Sequence, residues 1–278
     1  MTTRPLALSR VDANPVSALP RSARPPAPGA LSASLVFGWR ALLKIKHVPE
    51  QLADVIGIPV LFTLLFTYLF GGALAGSTGE YLEYLLPGTL TMTLLLVSVY
   101  TGVGLNTDIS KGIFDRFRTL PLWRPAAVAG ALLGDAARNT LAAAIVIVLG
   151  LAMGFRPDGG PAGVLAAVAL LLAFSFSLAW IWTALALVVR TPSAVSNVSL
   201  LIVFPLTFAS NVFVEPQTMP GWLRTLVDVN PVSHLVTAER GLMNGTATTG
   251  EIGWVLLASG ALVLVFAPLT MHLYRNKQ

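Results

Sequence analysis

Two groups of residues in this chain have types and spacings that could do chemistry. Asp135 and Arg138 stand three apart, on one face of any helix that contains them. Inside a bilayer such charges are costly and usually functional, as proton or ion carriers. The second group is Asp108 to Leu122, DISKGIFDRFRTLPL. Read as a helix, it aligns Ile109, Ile113, Phe117 and Leu120 at spacings of four, four and three. Lys111, Asp115 and Arg118 fall on another face, and Pro121 stops the helix. That chemistry is docking: an amphipathic helix held at both ends by apolar runs, with its charged face offered to a soluble partner. A basic loop obeying the positive-inside rule has the same composition.

Catalytic patterns are missing. There is no G-x-x-x-x-G-K-[ST] stretch to cradle a nucleotide and no H-E-x-x-H. His47, His234 and His272 are scattered over three regions, which suits structural roles. Serine and threonine are frequent in the apolar runs but have no nearby His or Lys base to activate them. With no cysteine, disulfides and thiolate metal sites are excluded.

The elements that must position these groups are membrane spans. Of the 278 residues 55% are hydrophobic and only 11% are charged, and the mean hydropathy is +0.74. Soluble domains carry about 25% charged residues. Apolar runs as long as a bilayer is thick make this an all-α integral membrane protein. The net charge of +5 is no nucleic-acid signal, because its Lys and Arg lie in short loops and tails beside the spans.

Residues 1–30, rich in Pro, Ala, Ser and Arg, read as a disordered tail without a signal-peptide core. From 31 the chain reads as one membrane domain reaching 278. Leu31 to Asp54 is amphipathic: Leu35, Trp39, Leu42 and Leu43 form one face, flanked by Arg40, Lys44 and Lys46, as in a helix lying in the interface. Six spans follow, at about 55–74, 85–105, 124–154, 162–189, 195–214 and 252–273. Pro87 and Gly88 fall in the first turn of the second span. Asp135 and Arg138 precede the uncharged run LAAAIVIVLGLAMG, which places them near the interface; the alternative is a pair inside the bundle.

Six spans put both termini on one side. The termini, the 111–124 island and Arg190 hold fourteen Lys and Arg, against three on the other side (Arg156, Arg224 and Arg240). Both termini and the island are therefore cytoplasmic. The long outer loop holds two half-length apolar segments broken at Asn230-Pro231, either dipping into the membrane or lying flat on it. Three readings stand on these residues: a permease driven by an outside ATPase, a secondary transporter or channel using Asp135 and Arg138, and a membrane enzyme or scaffold.

The chain resembles the membrane subunit of type-2 ABC exporters, and among them the daunorubicin/doxorubicin-resistance permeases. The resemblance rests on LLPG (Leu85 to Gly88), D-x-x-x-G-x-x-D-R-F-R-T-L-P (Asp108 to Pro121) and NPVSHLVTAERGL (Asn230 to Leu242), in that order within six spans. It implies a bacterial inner-membrane exporter of hydrophobic drugs, antibiotics or lipids; related branches move polysaccharides. It implies pairing with a second permease copy or a sister subunit, and two copies of an ATPase subunit that carry the ATP and Mg, leaving no cofactor on this chain. Ile113, Phe114, Asp115, Arg116, Phe117 and Arg118 would be the coupling helix, and Trp39, Arg40 and Lys44 would lie on the interfacial connecting helix. Trp222, Asn230, Pro231 and His234 would help close the outer exit. Cargo would run along the dimer interface, by spans two and five.

Overall fold

The computed structural model describes Val36, Trp39, residues 49–112 and residues 126–276; side chains are described at Val36, Trp39, 57–112 and 130–275. Among the described residues all regular structure is helical. In chain order the helices are α1 (Pro49–Ala75), α2 (Thr78–Ser110), α3 (Ala126–Met153), α4 (Gly160–Val188), α5 (Pro192–Phe208), α6 (Gly221–Val229), α7 (Pro231–Asn244) and α8 (Thr249–Asn276). A 3-10 turn at Pro216–Thr218 precedes α6. Five helices are long and apolar enough to cross a membrane: α1, α2, α3, α4 and α8. The fifth expected span is shorter, because α5 stops at Phe208 after 17 residues. At 1.5 Å per residue it is about 25 Å long, against a hydrocarbon core of about 30 Å.

Helix α2 is the axis of the bundle, packed against α1, α3, α4, α5 and α7. It runs well past the expected second span at both ends, for 33 residues. Pro87 therefore sits ten residues into the helix rather than in its first turn, and removes the amide that would bond to Glu83. Ser77 caps the start, accepting from the Glu80 amide at 3.2 Å. The far end closes at Gly112, in the left-handed region at φ +65°. Asp108 and Ile109 are thus the last turn of α2, and the stripe predicted from Ile109 to Leu120 is not one helix. Its remainder, from Ile113, lies outside the described residues.

The bundle presents apolar side chains outward and keeps polar ones inside, as a lipid solvent requires. Leu61, Leu165, Leu201, Leu257 and Leu264 are exposed. On α1 the buried stripe is Pro59, Thr63, Thr67 and Gly71, small residues four apart that let α2 approach closely. Hydrogen bonds then tie helix to helix. Trp182 Nε1 on α4 donates to Ser98 Oγ on α2 at 2.8 Å, and Gly102 lets the Trp182 carbonyl come close. Asn106 Nδ2 donates to Ala186 O and Val189 O at 2.8 Å each, satisfying carbonyls at the end of α4.

Candidate functional site

Where α5 ends, residues 209–214 leave the helix, and their carbonyls lose their helical partners. Side chains from distant elements replace them. Asn230, between α6 and α7, donates from Nδ2 to Leu206 O and Ala209 O at 2.7 Å each. Its Oδ1 accepts from the Val232 amide at 2.9 Å, so the same side chain also caps α7, with Pro231 at the first helical position. Arg240 on α7 donates from Nη2 to Asn211 O at 2.7 Å and Val212 O at 3.2 Å, and from Nε to Tyr84 O on α2 at 2.9 Å. Tyr84 Oη donates to Asn211 O at 2.9 Å and Tyr81 Oη to Phe213 O at 3.1 Å. Gly88 completes the seam: a Cβ there would stand 2.6 Å from the Val212 carbonyl.

Next to Arg240, Glu239 is fully buried. Its Oε2 lies 2.7 Å from Thr91 Oγ1 on α2, and its Oε1 has no partner among the described residues. Burial pushes this carboxyl well above the usual range, outweighing its hydrogen bond to Thr91 and the charge of Arg240. On the other side of α7 the Leu242 carbonyl meets α4 at Gly159 and Gly163, where a side chain would collide with it, and the Gly159 amide donates to Met243 O at 2.7 Å. Helix α7 is thus built into the bundle, with Val232, Leu235, Val236 and Met243 buried.

Of the four predicted outer-gate residues, three come together at the head of α7. His234 stacks on Trp254 of α8, ring centroids 4.1 Å apart. Trp222 stands apart, exposed near the start of α6. Trp39 is helical and exposed; Arg40, Lys44 and the coupling residues Ile113 to Arg118 lie outside the described residues. The sequence reading missed Glu239, Thr91 and Tyr84 and took Arg240 for a loop charge. The signal was an adjacent acid and base on the stripe side of a helix whose Val232, Leu235, Val236 and Met243 are apolar.

Asp135 is buried within the bundle. Its Oδ1 lies 3.6 Å from Arg138 Nη1. Asn139 Nδ2 donates to Ser175 Oγ on α4 at 2.6 Å and approaches Asp135 Oδ2 at 3.4 Å. The Arg138 guanidinium lies 5.9 Å from the Tyr100 ring centroid. The other face of this region is a cavity of about 190 Å³ between α1, α2 and α5, lined by Ile58, Phe62, Met92, Tyr100, Ser196 and Leu200 among others. Its wall is mostly apolar, with a few hydroxyls from Thr89, Thr93, Tyr100 and Ser196. Asp135 and Arg138 are not among its lining residues.

A bundle of long apolar helices, greasy outside and hydrogen-bonded within, defines a multi-pass membrane protein. The chain belongs to the ABC-2 type transporter family, whose model matches residues 33–244. It is 54% identical over 254 residues to the daunorubicin resistance ABC transporter permease protein DrrB1 of Streptomyces coeruleorubidus, covering 91% of this chain and 90% of that one. It is 24% identical over 253 residues to the probable doxorubicin resistance ABC transporter permease protein DrrC of Mycobacterium tuberculosis, covering 88% and 91%. The putative transport permease ycf38 of Porphyra purpurea is 23% identical over 235 residues, covering 81% and 80%.

Proposed function

We propose that this chain is the permease subunit of an ATP-driven exporter that moves a hydrophobic or amphipathic drug, antibiotic or lipid out of the cytoplasm or inner leaflet. The observation that carries the reading is the 54% identity, over nine-tenths of both chains, to a permease named for daunorubicin resistance. The apolar cavity beside α2 and α5 supports it, offering a greasy wall with a few hydroxyls to an amphipathic cargo. It supports a polysaccharide cargo less, since sugars need many polar partners.

The chain is a transport subunit, not an enzyme, and it has no P-loop. Two copies of an ATPase subunit carry the ATP and Mg in the cytoplasm, and a second permease copy or a sister permease completes the pathway. Ile113, Phe114, Asp115, Arg116, Phe117 and Arg118 dock on the ATPase; aromatic and Arg side chains are the usual anchors of such interfaces. Trp39, Arg40 and Lys44 lie on a helix at the membrane surface, with both termini cytoplasmic in a bacterial inner membrane. Helices α6 and α7, with Trp222, Asn230, Pro231 and His234, close the outer exit. The secondary-transporter reading has less support, because the Asp135–Arg138 pair is not part of the cavity wall.

The test is co-expression of the tagged chain with its candidate ATPase, followed by purification in mild detergent and daunorubicin efflux from cells. Wild type should co-purify with the ATPase and export. Phe117→Ala and Arg118→Ala should reach the membrane normally but lose coupling between ATP hydrolysis and efflux. Normal efflux by both variants would sink the coupling assignment, and efflux independent of any ATPase would sink the exporter reading.

A further inference from the structure

Thr91 has one hydroxyl hydrogen and two acceptors in reach. Its Oγ1 lies 2.7 Å from Glu239 Oε2 and 3.1 Å from Pro87 O. With Glu239 ionised, that hydrogen can serve only one of them, and Oε1 remains a fully buried charged oxygen without a donor among the described residues. With Glu239 protonated, its O–H donates to Thr91 Oγ1 and Thr91 donates to Pro87 O, so both short contacts become hydrogen bonds.

Among the described residues the neighbourhood offers Glu239 no ion pair. Helices α4 and α5, packed on α7, contain no ionisable side chain. On α2 the facing groups are Tyr81 and Tyr84, both donating to carbonyls of the 209–214 segment. His234, on α7 itself, is stacked on Trp254. On α8, Glu251 is engaged with the Thr248 amide, and His272, Tyr274 and Arg275 are at the far end of that helix. Glu215 acts on Arg240. Among the described residues Arg240 is the charge that acts on Glu239, and its guanidinium is committed to three backbone carbonyls and the face of Tyr84.

We propose that Glu239 is a proton-binding site, held as a carboxylic acid that donates to Thr91 and so locks the outer hairpin to α2. The direction in which burial moves this carboxyl agrees. The step is the binding of one proton from water by the carboxylate, and its release reverses it. Resting on the gate reading above, opening of the hairpin hydrates Glu239 and frees the proton, so the closed exit is the protonated form.

The experiment is infrared spectroscopy of the full chain in lipid vesicles at neutral pH, which needs no transport and so fails or succeeds apart from the exporter reading. Wild type should show a protonated-carboxyl stretching band that shifts in heavy water, disappears in Glu239→Gln and moves toward the free-acid position in Thr91→Val. A parallel thermal-unfolding series guards against misfolding. Glu239 holds its proton in the folded chain at pH values where the unfolded chain has lost it. Wild-type stability should therefore fall as pH rises above the ordinary carboxylate range, and Glu239→Gln should lack that part of the slope. Superimposable carboxyl bands in wild type and Glu239→Gln, or equal pH slopes, would overturn the proposal.

Discussion

The Arg240 guanidinium lies 3.6 Å above the centre of the Tyr84 ring while its Nε donates to the Tyr84 carbonyl at 2.9 Å. One side chain thus holds both the ring and the backbone of α2, one residue past the carbonyl of Glu83 that Pro87 leaves without its helical amide. The other end of the same guanidinium holds the 211–212 carbonyls at the end of α5. The relationship makes Arg240 a brace between three elements.

Arg240→Lys keeps the charge but loses the planar fork and the stacking. It should lower the thermal midpoint in detergent, and Arg240→Ala should lower it further. Hydrogen bonds to charged groups are each worth about 1.5–3 kcal/mol. Hydrogen exchange should rise first at residues 209–214; unchanged exchange there would count against the brace.

Asn230→Asp keeps the cap on Val232 but removes both donors to Leu206 O and Ala209 O, and adds a charge to a nearly buried place. Asn230→Ser keeps an acceptor for the cap alone. Both should destabilise, with Asp the worse, by about 1–3 kcal/mol for the orphaned acceptors. Unfolding midpoints of the two variants in the same detergent check the order.

Gly163→Ala and Gly102→Ala should each loosen the bundle, the first by driving Leu242 of α7 off α4 and the second by pushing Trp182 of α4 off α2. Overpacking of this kind costs about 1–3 kcal/mol. Gly253→Ala, where an added Cβ meets nothing, is the control and should be neutral or slightly stabilising. Parallel melting curves read all three.

Asp135→Asn leaves Arg138 charged in the bundle without its partner, and Arg138→Leu does the same to Asp135. Each single change should cost about 3–5 kcal/mol, while the double variant should recover much of the loss. A double-mutant cycle on unfolding free energy measures the coupling, and additive losses would show that the pair is not a unit.

Much of this architecture was legible in the residues alone. Apolar length predicted the long helices, because a helix crossing lipid needs about 20 greasy residues whatever its neighbours are. The break at Asn230-Pro231 was legible because a proline cannot continue a helix and an asparagine before it caps the next. The NPVSHLVTAERGL stretch was recognisable as a resemblance, yet its residues had no readable task. Asn230, Glu239, Arg240 and the Leu242 carbonyl act on Leu206, Thr91, Tyr84 and Gly163, and periodicity along one chain carries no information about such partners.

The chain by itself determined which segments are apolar enough to enter lipid and predicted an orientation from its basic loops, since both follow from apolar length and charge read along the sequence. Only the tertiary structure decided where α5 stops, because backbone can leave a helix inside the bundle only where distant side chains take over its carbonyls. Asn230, Arg240, Tyr84 and Tyr81 do so there. It likewise decided that Asp135 is inside the protein and that Glu239 has no ion-pair partner among the described residues. Burial depends on what packs against a residue, not on what stands beside it in the chain.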